Sequence, residues 1–164
     1  MIALGIDPGT KRIGYGVVKD ERGAATFIAA GILDIKSRAH GAATGDAEAL
    51  QEVRRGVEKL IKKYRPGVVG VERLFFAKNR KTAMAVAQAR GAILLAIKEC
   101  NVPIKEYAPN EVKLGVTGYG SADKNAVLKM VRLILGERGL DVIDDASDAL
   151  ALAIMACRLG IARD

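Results

Sequence analysis

In MIALGIDPGTKRIGYGVVKD (Met1–Asp20) an apolar run ends at an acid, Asp7, turns through proline and glycine, and resumes as a second apolar run from Gly14. Met1–Asp7 reads as a buried strand, Gly14–Asp20 as a second, and ATFIAAGILDI (Ala25–Ile35) as a third, with glycine turns at Asp7–Thr10 and Glu21–Gly23. Links this short favour antiparallel neighbours. An acid that ends a buried strand is costly unless it is paired or holds a cation, so Asp7 marks a place where chemistry is expected.

Residues 37–46 are small and polar, as in a loop, and from Asp46 to Tyr64 the apolar period becomes helical, with Leu50, Val53, Val57, Leu60 and Ile61 on one face. Pro66 and Gly67 stop that helix. GVVGVE (Gly67–Glu72) is a short apolar run, read as a central strand covered on both faces, and it too ends in an acid. Asn79 can cap a second long helix through Cys100, whose small residues allow close backbone packing against the sheet or another subunit. VPIKEY (Val102–Tyr107) is another strand, and residues 109–136 form two helices around GVTGYGSADK (Gly115–Lys124). The last helix runs from Asp144 to about Gly160 and places Asp145 and Asp148 at i, i+3 on one face. A meander followed by alternating helices and strands implies an α/β fold: one mixed sheet with helices on both faces. Asp7 and Glu72 then share one end of neighbouring strands, and the start of the last helix belongs there as well.

The length of 164 residues fits a single domain, 1–164. Lys and Arg number 26 against 19 Asp and Glu, and the resulting net charge of +7 points to a polyanionic partner. A membrane surface is disfavoured, because no helix joins a basic face to large exposed apolar groups, and no apolar run reaches spanning length. Cys100 and Cys157 have no metal-ligand spacing and read as reduced thiols, and the N-terminus runs into a strand without a signal peptide, so a cytoplasmic location is expected. His40, the single histidine, reads as a loop residue.

Carboxylates inside a basic protein suit phosphodiester hydrolysis, in which two divalent ions about 3.5–4 Å apart activate water and stabilise the leaving oxygen. Taken singly, each acid has a plainer reading: Asp7 as a strand-end turn residue, Asp145 as a helix cap, and Asp148 as an acid favoured near a helix N-terminus. Phe75 and Phe76 precede the basic Lys78, Arg80 and Lys81. That pattern suits base stacking at a distorted strand and equally suits a staple that anchors the next helix. Arg73, Lys78, Arg80 and Arg90 are candidate phosphate contacts, with Asn79 beside them, and Lys11 and Arg12 are candidates next to Asp7.

GIDPGTKRIGYGVV (5–18), VGVERLFFAKN (69–79), QARG (88–91), GSADK (120–124) and DDASDALALA (144–153), in this order, strongly resemble the RuvC family of Holliday-junction resolvases. The opening block is shared with actin-like ATPases, sugar kinases and YqgF-type nucleases, and the blocks around Glu72 and Asp148 separate these. The resemblance implies a ribonuclease H-like fold, a homodimer and paired symmetric nicks in strands of like polarity at four-way DNA junctions. It carries the catalytic and metal-binding tetrad onto Asp7, Glu72, Asp145 and Asp148, with two Mg²⁺ ions expected and Mn²⁺ able to substitute. It places Lys113 and Lys124 near the scissile phosphate and Phe75 as a probe inserted at the junction centre, with Phe76 in the core. Tyr119 would read bases or order its loop. A RuvA–RuvB branch-migration complex is the implied partner. The alternatives are a YqgF-like RNA-processing nuclease and a non-catalytic junction-binding module.

Overall fold

A computed structural model describes residues 1–36, 45–73 and 80–158, and of residues 45–46 and 80–82 the backbone alone. Strands β1 (Ile2–Asp7), β2 (Arg12–Glu21), β3 (Ala24–Asp34), β4 (Val68–Glu72) and β5 (Ile104–Tyr107) form one sheet in the order β3-β2-β1-β4-β5. The meander β1–β2–β3 is antiparallel, while β4 pairs parallel with β1 and β5 parallel with β4. The register skips Ile28, since Val17 pairs with Ala29 and Val18 with Phe27. This bulge lies in an edge strand, where bulges discourage pairing with other chains.

Helices α1 (Gly45–Tyr64) and α2 (Arg80–Glu99) cover one face, and α3 (Pro109–Thr117), α4 (Lys124–Leu135) and α5 (Asp144–Arg158) cover the other. Strand alternation decides which residues meet which layer. Leu4, Ile6, Val69 and Val71 pack against Val53, Val57, Ile93 and Ile97, whereas Ala3 and Val68 face the α5 side. The predicted face of α1 is confirmed at Val53, Val57, Leu60 and Ile61, but the buried member of its first turns is Ala49, and Leu50 is only half-buried. α1 begins at Gly45, next to the expected start, and ends at Tyr64 as expected. The expected cap Asn79 and the expected helix end at Gly160 lie outside the described residues. Asp123 caps α4 by accepting a 2.8 Å hydrogen bond from the Ala126 amide.

α5 sits almost on the backbone of the sheet. A Cβ at Gly70 would come within 2.7 Å of the Leu152 carbonyl oxygen, and one at Gly16 within 2.6 Å of the Leu150 amide. A Cβ at Gly5 would collide with the Ala149 carbonyl. The helix answers with alanines: Ala146, Ala149, Ala153 and Ala156 are each at most 1% exposed. Close contact between two backbones leaves nothing flexible to yield, so Gly5→Ala is expected to destabilise the protein by about 3 kcal/mol, the upper end for overpacking. Chemical denaturation measures this, and an unchanged midpoint would contradict the close packing.

Candidate active site

The same alternation that buries the core aims two acids at α5. Asp7 shares its face of β1 with Ala3 and Gly5, and Glu72 shares its face of β4 with Val68 and Gly70, all on the α5 side. The low profile of α5 over these glycines brings its first turn to the strand ends. The helix opens with the Ile143 carbonyl accepting from the amides of Ala146 and Ser147, both at 3.0 Å. Asp145 and Asp148 follow on its inner side, whereas the Asp144 side chain is 75% exposed.

The four carboxylates feel one another. Burial first, then the charges of Glu72, Asp148 and Asp145, hold the Asp7 carboxyl well above its ordinary value, with Lys124 opposing. Burial also raises Glu72, helped by Asp148, while Lys124 and Lys113 pull it down. Asp148 is raised by burial against the pull of Lys124. Lys124 itself loses some charge stability to burial, yet Asp148 and Asp144, at 3.6 and 3.5 Å, more than restore it. Asp145 faces Arg12 at 3.7 Å. Asp7 and Asp148 are thus each coupled to the three other acids, and Asp7 is the more deeply buried of the two.

Raised acids make the metal-free fold sensitive to pH. Between the ordinary value of 3.8 for Asp7 and its raised value in the fold, the folded protein holds a proton that the unfolded chain releases. Stability therefore falls as pH rises through that window. In chelator at about pH 7, Asp7→Asn is expected to melt above wild type, by roughly 2–4 °C for each kcal/mol of relieved repulsion. The advantage should shrink as pH falls towards and below the ordinary value of 3.8, where both states become protonated. Melting curves of both proteins across this range test it, and a variant that melts well below wild type at every pH would make Asp7 a structural residue.

Two clefts flank the acids. One, of about 200 Å³, is lined by Glu72, Asp148, Lys113 and Lys124 over an apolar floor that includes Val112 and Leu152. The other, of about 350 Å³, is lined by Asp7, Asp145, Lys11 and Arg12 together with the turn between them. Among the described residues, no three Asp, Glu, His or Cys side chains are gathered closely enough to hold a metal ion as they stand. Asp148 pairs with Lys124 and Asp145 with Arg12. The donor set nevertheless fits a hard divalent cation, being all carboxylate oxygen on three rigid elements.

The model of the family "Crossover junction endodeoxyribonuclease RuvC" matches residues 3–156. The chain belongs to this family. It is 44% identical over 154 residues to the crossover junction endodeoxyribonuclease RuvC of Chloroflexus aggregans, covering 94% of this chain and 91% of that one. The fold matches the RuvC structure of Thermus thermophilus with a TM-score of 0.81 at 32% identity, over 94% of this chain and 92% of that one. It also matches T. thermophilus RuvC in complex with Holliday junction substrate, with a TM-score of 0.80 at 30% identity, over 94% of this chain and 91% of that one. The fold is ribonuclease H-like, as expected, and the family is one of metal-dependent nucleases.

Against the other residues expected of a RuvC site, the structure makes distinctions. Lys113 and Lys124 line one cleft with Glu72 and Asp148. Tyr119 is 66% exposed in the α3–α4 connection, where its amide donates to Thr117 Oγ1 at 3.1 Å. Phe75, Phe76, Lys78 and Asn79 lie outside the described residues, as does the Arg80 side chain. Two arginines read as phosphate contacts are engaged within the protein. Arg73 pairs with Glu111 on α3 at 2.6 Å, and Glu111 also accepts from the Ala108 amide. Arg90 turns inward, donating from Nε to the Glu72 carbonyl at 3.0 Å and meeting Glu106 with its terminal nitrogen, and its side chain is 17% exposed. The Arg90 guanidinium is thus committed to two partners inside the protein. Glu106 and Glu111 went unread in the sequence, because single acids in a strand and a helix give no sign of partners 16 and 38 residues away.

Proposed function

We propose that this protein resolves Holliday junctions, nicking two strands of like polarity symmetrically at a four-way DNA junction in recombination and repair. What supports the reading most is the electrostatic coupling of Asp7, Glu72, Asp145 and Asp148, from β1, β4 and α5, in a member of the RuvC family with lysines on one side and Lys11 and Arg12 on the other.

In this reading Asp7, Glu72, Asp145 and Asp148 would hold two Mg²⁺ ions, with Mn²⁺ as a substitute. When bound, the ions supply an activated water and stabilise the leaving oxygen. The chain's own groups do the rest. Lys113 and Lys124 offset the negative charge that develops around phosphorus. Lys11 and Arg12 hold the backbone phosphates beside Asp7 without reading sequence, and Phe75 stacks at the opened junction centre. The substrate's twofold symmetry calls for a homodimer with one site per strand. No described helix is long and apolar enough to cross a membrane. Action on chromosomal DNA places the protein in the cytoplasm, with a RuvA–RuvB complex as partner.

The deciding experiment incubates the protein with a synthetic mobile four-way junction, a linear duplex and a structured RNA, each with Mg²⁺ and with chelator. Paired nicks in the junction alone, in Mg²⁺ alone, are the expected result. Junction binding without nicks would leave a non-catalytic binding module, and preferential cleavage of RNA would make this an RNA-processing nuclease.

A further inference from the structure

Arg90 reaches the end of β4 from the face opposite the acids. Ile104, on β5, belongs to the core on the α1–α2 side, so Glu106, two residues on, shares that face, and α2 delivers Arg90 to it. Glu72, on the neighbouring strand, sends its side chain to the α5 face. What Arg90 holds is therefore the Glu72 main chain.

The pairing pattern explains why that carbonyl needs a donor. The amides of Val69 and Arg73 bond to the carbonyls of Pro103 and Tyr107, so odd-numbered residues of β4 turn their peptide groups towards β5. Glu72 turns its own towards β1, but β1 pairs with β4 only as far as Ile6 and Val71. The Glu72 carbonyl thus lies beyond the last rung of that ladder. A backbone acceptor left unpaired in a partly buried position carries a desolvation cost, and the Arg90 Nε–H meets it. Glu106, opposite Val71 in the β4–β5 register, fixes the far end of the guanidinium.

We infer that Arg90, held by Glu106, is a positioning residue for Glu72: from behind the sheet its guanidinium fixes the last peptide of β4, and with it the direction in which the Glu72 carboxylate leaves the sheet. The inference rests on the proposed nuclease function. Arg90 touches neither substrate nor reacting atoms. It matters because a displacement of about 1 Å in a reacting constellation costs on the order of 10²-fold in rate, and Glu72 is the last residue of β4.

The test uses the full-length protein with Arg90→Ala, Arg90→Lys and Glu106→Gln. Single-turnover cleavage of saturated junction is expected to fall about 10²-fold in Arg90→Ala, with junction affinity and its salt dependence as in wild type. Arg90→Lys, which keeps the charge but not the planar fork, should fall between the two. Glu106→Gln, which keeps an acceptor, should lose less than Arg90→Ala. In the protein alone, without DNA or metal, hydrogen exchange at the Arg73 amide should quicken in Arg90→Ala and stay unchanged in α4 and α5. Several outcomes would overturn the inference. A salt slope flattened by about one unit with bound junction cut at the wild-type rate would make Arg90 a phosphate contact. A lower melting temperature with wild-type cleavage below it would make Arg90 merely structural. Should Arg90→Ala fail to fold, wild-type cleavage by both Arg90→Lys and Glu106→Gln is the contrary result. If wild-type protein does not cut junctions, the proposed function fails, and the exchange measurement still decides whether Arg90 holds the end of β4.

Discussion

Asp7→Asn is expected to bind four-way junctions as tightly as wild type and to cut them on the order of 10³-fold more slowly or worse, a loss of about 4 kcal/mol of barrier lowering. Binding and chemistry separate here because the change removes no cation, and if anything reduces repulsion between the site and DNA phosphates. Asp7 is the acid where the largest loss is expected. It sits in the middle of the sheet, burial and all three other acids raise its carboxyl, and its β1 backbone is locked under α5. Asparagine keeps shape and one oxygen but gives up the charge on which a metal ligand depends. Gel-shift affinity in chelator and single-turnover cleavage in saturating Mg²⁺ measure the two quantities separately. Cleavage at the wild-type rate would remove Asp7 from the metal site. A parallel loss of junction binding would make it a folding residue, and the melting curves in chelator would show the same.

Much of this site was legible in the chain because it rests on local rules. A strand that stops at an acid is visible from the apolar run before it, and Asp7 and Glu72 both stand where such runs stop. Parallel pairing of β1 with β4 follows from the helix between β3 and β4, and it puts both acids at one end of the sheet. Asp145 and Asp148 are a helical turn apart in the sequence itself. What could not be read there depends on which surfaces meet. Gly5, Gly16 and Gly70 look like small residues in strands until α5 is laid across them. The choice of Ala49 over Leu50 on the inner face of α1 turns on a rotation of the helix that apolar counting leaves open. Arg73 and Arg90 read as phosphate ligands from the sequence, and only the positions of α3 and β5 reveal Glu111 and Glu106 as their partners. Charge composition points to a polyanionic partner, but it does not say which cations face it.

Lys113→Ala and Lys124→Ala are expected to slow cleavage of already bound junction by about 10²-fold each, the size seen when one transition-state donor is removed. Both line the cleft beside Glu72 and Asp148, which is where the proposed reaction would develop charge. A lysine that only held ground-state phosphate would weaken binding and flatten the salt slope by about one unit. One that acts on the developing charge leaves binding nearly intact and lowers the single-turnover rate. The two lysines should then differ in pH dependence. Lys124 lies within 3.6 Å of Asp148 and opposes the upward shift of Asp7, Glu72 and Asp148 alike, whereas Lys113 acts on Glu72. Without Lys124 all three acids lose a stabilising cation and ionise at higher pH. The acid limb of the cleavage profile should therefore move to higher pH in Lys124→Ala, and less so in Lys113→Ala. Single-turnover rates at saturating enzyme, collected across pH, give both readings at once. Unchanged rates in both variants would return these residues to ordinary surface lysines. A slower rate with an unshifted profile in Lys124→Ala would keep its role at the phosphate and remove its role in holding the acids charged.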